Sequence, residues 1–183
     1  MARIPLDHTR TLKVRIMEAY SKRKYGGVLD PGLVAYHNPK VLNAMIRHEA
    51  RVAKWDALDP TLKALATMAT AAEIGCSWCM DFGFWEANNH GVDQAKLRAV
   101  PGWPTSEVYT ALERRVMEYS VAMTQTPPTV TDAMVSALRA ELSDSQLVEL
   151  TAIIALENQR SRTNAAMGLT SQGFKDQCEL RPV

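Results

Sequence analysis

Apolar residues recur along this chain at intervals of three and four, and nowhere do Val, Ile, Thr or aromatic residues alternate with polar ones for the length of a strand. The pattern predicts an all-α fold. A basic amphipathic helix is expected from about Asp7 to Lys24, with Leu12, Ile16 and Ala19 on one stripe and Gly26 and Gly27 closing it. Asn38 followed by Pro39 opens a second helix through Val41, Leu42, Met45, Ile46 and Val52. Asp59 and Pro60 repeat that start signal for a third, striped by Leu62, Leu65, Ala69 and Ala72 and interrupted at Gly75. Its run of small residues from Ala64 to Ala72 suits the centre of a bundle, where a neighbouring helix approaches closely.

A fourth helix is expected from about Cys76 to just before Gly91, and Asp93 caps a short segment to Val100. Pro101–Pro104 (PGWP) and Gln125–Pro128 (QTPP) mark connections around helices at roughly Ser106 to Thr124 and Thr131 to Glu141. Ser143 with Gln146 is a capping-box pattern opening a last long helix through Leu147, Leu150 and Ile154 to Gly168, and the tail from Lys175 is expected to fray. A shift of 85 positions lays Asp59, Leu62, Leu65 and Gly83 over Asp144, Leu147, Leu150 and Gly168, a weak repeat suggestive of two duplicated hairpins.

The length of 183 residues fits one domain, and 46% hydrophobic with 22% charged residues excludes a disordered chain. The 21 Lys and Arg against 20 Asp and Glu, a net charge of +1, give no general attraction to nucleic acid or anionic lipid. No apolar run reaches the roughly 18 residues of a membrane span, and the N-terminus lacks a secretory h-region, so a cytoplasmic protein is expected.

In such a chain the pair Cys76 and Cys79 favours redox or metal chemistry over a structural disulfide, while Cys178 is a bystander thiol. Two thiols three residues apart at a helix start share a face, and the first-turn amides there stabilise a thiolate. That argument favours Cys76 as the reactive sulfur. A zinc site needs about four ligands, and the only others are His90, Cys178 and distant histidines, so no metal is expected. Two small cysteines filling a bundle core are the plain alternative.

Read together, LKALATMATAAEIGCSWCMDFG, NNHGVD and VELTAIIALENQRSRTNAAMGLTSQGF resemble the carboxymuconolactone decarboxylase and AhpD-like alkylhydroperoxidase superfamily, over about Asn38 to Phe174. The finer pattern, Gly-Cys-x-x-Cys-x-Asp-x-Gly with a late Ser-Gln-Gly-Phe, resembles an uncharacterised bacterial subgroup of it. The resemblance implies a single domain over residues 1–183, with a core at about 38–174 and an N-terminal helical extension over 1–37. It also implies an all-α bundle with Cys-x-x-Cys at the start of the second helix of a central hairpin, in a homo-oligomer (dimer, trimer or hexamer).

By the same resemblance Cys79 attacks a peroxide and Cys76 resolves it to a disulfide. The peroxidase branch sets a glutamate twelve residues before the first cysteine and a histidine four after the second; here those positions are Ala64 and Gly83. Glu73, one turn before Cys76, is the substitute proton acceptor if Ala71, Ala72 and Ile74 mark a buried segment, and otherwise a surface carboxylate. Asp81, two residues past Cys79, points elsewhere and suits a hydrogen bond or ion pair.

Trp78 and Phe82, with Met80, Phe84 and Trp85, are expected to line a site for organic hydroperoxides, and Asn158 or Arg160 to face the thiols and orient substrate. Glu157 and Arg160 are also spaced for an ion pair, and His37 and His48 suit structural roles. The expected activity is a thiol-dependent peroxidase without cofactor, reduced by a dithiol protein. Its rivals are a carboxymuconolactone decarboxylase-like small-molecule enzyme and a non-catalytic, redox-sensing oligomeric binding protein.

Overall fold

The computed structural model describes residues 2–8 and 12–179, and among them there is helix and no strand. In chain order the helices are α1 (Leu12–Tyr25), α2 (Asp30–Tyr36), α3 (Pro39–Val52), α4 (Pro60–Ile74) and α5 (Ser77–Asn89). They continue with α6 (Gln94–Ala99), a 3₁₀ turn over Val100–Thr105, α7 (Ala111–Thr124), α8 (Asp132–Arg139), α9 (Asp144–Ala166) and α10 (Asp176–Glu179).

Side-chain caps set most of the starts. Asn38 accepts from the amides of Lys40 and Val41, and Asp59 from those of Thr61 and Leu62, each just ahead of a proline whose missing N–H costs the first turn nothing. Ser143 and Gln146 exchange both bonds of the capping box, at 2.9 Å and 3.3 Å. Helix α7 starts at Ala111 rather than near Ser106, because Thr110 and Glu113 form a second capping box there.

The chain gathers into two compact units, Met1–Lys54 with Ala166–Leu169, and Trp55–Ala165 with Thr170–Val183. In the first, α2 and α3 pack on each other. The short α2 has no counterpart in the periodicity. The start expected for α1 near Asp7 lies partly outside the described residues. Its apolar stripe is turned outward: Leu12 and Ile16 are 73% and 62% exposed, Ala19 is exposed too, and Val14 is the residue that goes inside.

The second unit is built on α4. Leu65, Met68 and Ala69 join Phe84, Ala87, Leu97, Val100 and Met117 in one apolar cluster. Leu62 and Ala66 join Val116, Tyr119, Leu138, Leu150 and Ile154 in another. Both clusters draw on the same helix, as the small-residue run implied, and α4 packs chiefly on α7 and α5. The hydroxyls buried with it bond to their own helix, as Thr70 does to the Ala66 carbonyl at 2.9 Å.

The 85-residue repeat does not extend to helical architecture. The first copy is broken at Gly75 into α4 and α5, whereas α9 runs unbroken for 23 residues with Arg160 at the corresponding position. Nor does the tail fray at Lys175: α10 follows, and Cys178 is buried in the first cluster.

Candidate functional site

The site begins with one glycine. Gly75 stands at φ 77°, ψ 28°, a left-handed conformation that L-residues adopt only at a cost, and it ends α4 there. The turn puts Cys76 in extended backbone as the N-cap of α5, where its sulfur accepts the Cys79 amide N–H at 3.2 Å. Cys76 and Cys79 are joined as a disulfide with their Cα atoms 5.3 Å apart, within the ordinary span for such a bond. Both are buried, at 2% and 7% exposure.

The second contact to this disulfide comes from 85 residues away. The side-chain amide of Asn164, in the last turn of α9, donates to Cys79 Sγ at 3.3 Å, and Asn164 is itself buried. Each sulfur therefore accepts an N–H, Cys76 from the backbone of its own helix and Cys79 from a neighbouring one. Asn164 was legible in the sequence only as one more polar residue on the last helix.

Asp81 closes the other side. Its carboxylate, 6% exposed, accepts the backbone N–H groups of Gln172 at 2.8 Å, Phe174 at 3.1 Å and Lys175 at 2.7 Å. The expected hydrogen-bonding role thus takes a definite form: Asp81 ties the Ser-Gln-Gly-Phe segment to α5. Trp78 reinforces it by donating its indole N–H to Gln172 Oε1 at 2.7 Å.

Trp78 is buried and stacks on Phe82 at 5.0 Å, and Phe82 meets Phe174 edge-on at 5.4 Å and Trp85 at 5.5 Å. The spacing of residues 78, 82 and 85 puts these rings on one face of α5. Phe84 is elsewhere. It lies in the core at 2% exposure, with Lys175 Nζ 5.1 Å from its ring centre.

Three sequence candidates stand away from the sulfurs. Glu73 is exposed at the end of α4, not buried as its apolar neighbours suggested, because the chain turns at Gly75 immediately after it. Asn158 donates to Thr124 Oγ1 at 3.0 Å and to the Ile154 carbonyl at 3.2 Å, so its amide is engaged with α7 and its own helix. Arg160 pairs with Glu157 at 3.4 Å, the i,i+3 partner its spacing indicated. Among the described residues no group of three or more His, Cys, Asp and Glu side chains is placed to hold a metal ion.

Residues 39–122 match the carboxymuconolactone decarboxylase family, a match that contains the whole Cys-x-x-Cys helix start. Over 117 residues the chain is 36% identical to the Uncharacterized protein YnjA of Escherichia coli K12, a stretch that spans 64% of this chain and 64% of that relative. An uncharacterized peroxidase-related protein of Ralstonia eutropha JMP134, described as an alkylhydroperoxidase AhpD core, superposes with TM-score 0.81 at 18% identity, over 95% of this chain and 94% of its own. The debrominase Bmp8 superposes with TM-score 0.80 at 21% identity, over 94% and 93%. At these identities the two structures are alike in fold.

Within the AhpD-like bundle, the positions that carry glutamate and histidine in the peroxidase branch hold apolar packing here. Ala64 lies against the first core cluster. Gly83 faces α4 so closely that a Cβ would sit 3.4 Å from Met68 Cγ. A histidine at that position would meet the packed side of α4.

Proposed function

We propose that this AhpD-like protein is a cytoplasmic thiol-dependent peroxidase that reduces organic hydroperoxides through a Cys76/Cys79 dithiol–disulfide cycle. The observation that carries the reading is the Cys76–Cys79 pair itself, one turn apart at the start of α5 and joined as a disulfide. The aromatic face of Trp78, Phe82 and Trp85 beside it supports an apolar substrate.

In the proposed cycle the Cys79 thiolate attacks a peroxide oxygen. An S–O bond forms, the O–O bond breaks, and the alcohol leaves after gaining a proton, with a sulfenic acid on Cys79. The Cys76 thiolate then attacks that sulfur, forming the S–S bond as the S–O bond breaks and hydroxide leaves to become water. The two electrons taken from the thiols are those gained by the peroxide. A dithiol protein returns them by thiol–disulfide exchange and becomes a disulfide itself. The protein works as a homo-oligomer in this reading, supported by the apolar face that α1 exposes through Leu12, Ile16 and Tyr20.

The test is a count of free thiols before and after one equivalent of an organic hydroperoxide near neutral pH. Loss of two thiols within seconds is expected in the native protein and none in the Cys76→Ser/Cys79→Ser variant. Cys76→Ser alone should stop at a sulfenic acid on Cys79. Glu73→Gln should change the rate by less than about twofold, since an exposed carboxylate does not supply the roughly hundredfold or greater effect of a general base. Absence of thiol loss overturns the reading. Oxidation that occurs once and does not recur when a dithiol is supplied selects the redox-sensing alternative, which Ala64, Gly83 and the exposed Glu73 favour.

A further inference from the structure

The last turns of α9 bury polar groups where a bundle face is normally apolar. Glu157, Ser161 and Asn164 are 3%, 0% and 4% exposed and follow one another at i, i+4 and i+7, on a single stripe. The first two satisfy each other, Ser161 Oγ donating to Glu157 Oε1 at 2.6 Å, and Arg160 neutralises the carboxylate. The stripe ends on sulfur. Asn164 directs its amide N–H at Cys79 Sγ, 3.3 Å away.

A buried amide N–H has better partners than a disulfide sulfur, which is a weak acceptor. The same bond becomes charge-assisted once the disulfide opens and Cys79 carries a thiolate. The contact therefore favours the reduced, ionised form of that sulfur over the oxidised one. Cys76 already has the Cys79 backbone N–H for the same purpose.

We propose that Asn164 is a catalytic residue of this site, the hydrogen-bond donor that holds the Cys79 thiolate and makes that sulfur reactive in place of the glutamate and histidine absent at positions 64 and 83. Resting on the dithiol reading above, this assigns the two sulfurs different donors: a side chain that can be exchanged for Cys79, and a backbone group for Cys76. It also accounts for a buried asparagine on a face that would otherwise be filled by an aliphatic side chain.

The test measures alkylation of Cys79 by iodoacetamide at pH 7 in a Cys76→Ser background, a reaction that requires only thiolate and no peroxide. Asn164→Asp, of the same shape but presenting an acceptor, and Asn164→Ala should both slow alkylation roughly tenfold, the effect of losing one hydrogen bond to a charged group. In the protein with both cysteines, the same substitutions should shift the disulfide to a more negative reduction potential against a dithiol buffer. A residue that only packs would lower unfolding stability while leaving both readouts unmoved. Unchanged alkylation and potential in both variants overturn the proposal. Peroxide consumption by the native protein, measured separately, decides the peroxidase reading whichever way the alkylation result falls.

Discussion

The carboxylate of Asp81 holds the backbone N–H of Phe174 at 3.1 Å, binding the residue two places beyond Cys79 to a segment 93 positions later. With the amides of Gln172 and Lys175 on the same two oxygens, the Asp of Gly-Cys-x-x-Cys-x-Asp-x-Gly and the loop of Ser-Gln-Gly-Phe are two halves of one contact. Phe174, anchored in this way, completes the aromatic group around Phe82.

Replacing Asp81 by Asn leaves one acceptor where three backbone donors converge and puts an NH₂ against the others. A loss of about 1–3 kcal/mol in stability is expected, the cost of orphaned buried donors. Urea unfolding gives the total. Amide exchange at Gln172, Phe174 and Lys175 should accelerate more than exchange in α4, and uniform acceleration would contradict a local clamp.

Gly75 is held at φ 77° with nothing within 4 Å of the Cβ it lacks, so Gly75→Ala meets backbone strain and no steric clash. The expected cost is about 1 kcal/mol, and for a chain of this size a fall in melting temperature of about 3 °C. Because this turn sets Cys76 as the cap of α5, the Cys76–Cys79 disulfide should also re-form more slowly after reduction. An unchanged rate with a lowered melting point would separate the turn's stability role from its positioning role.

Acid should expose a different contact. Glu149 is buried at the start of α9, where it pairs with Lys63 and accepts the Ala57 amide at 2.8 Å. Burial by itself pushes its carboxyl up, but Lys63 and the backbone amides outweigh that and hold it below the ordinary value of 4.5. A carboxylate depressed on folding stabilises fully above its unfolded value, and that contribution disappears as pH falls through the folded one. Stability should therefore decline below about pH 4.5, and Glu149→Gln should flatten the decline while costing about 1–2 kcal/mol at neutral pH. Chemical denaturation across pH 3–7 checks both. An acid limb equally steep in the variant would assign it to other carboxylates.

The helix starts were legible because their determinants are local. Asn38-Pro39, Asp59-Pro60 and Ser143 with Gln146 each cap the helix that follows through atoms two or three residues away, and all three do so in the structure. The small-residue run of α4 was equally readable, since volume alone dictates which helix can lie at the centre. Where periodicity was silent or a nearer cap competed, the reading went astray. It passed over α2, seven residues long, and it began α7 too early because the capping box of Thr110 with Glu113 starts that helix at Ala111.

The Cys-x-x-Cys pair, its place at a helix start and the all-α class follow from spacing and residue type, and so belong to the sequence by itself. The tertiary structure decided which polar residue of the last helix reaches the sulfurs. Asn158, Arg160 and Asn164 are similar in sequence terms, and Arg160 and Asn164 even share a helix face at i and i+4, but Asn158 is held by Thr124 and Arg160 by Glu157, while the packing of α9 brings the Asn164 amide to Cys79. Packing likewise turned the apolar stripe of α1 outward and left Glu73 in solvent despite its apolar neighbours. A stripe or a cap is written within a few residues of chain, whereas the side that faces the core is settled by how helices far apart in sequence pack together.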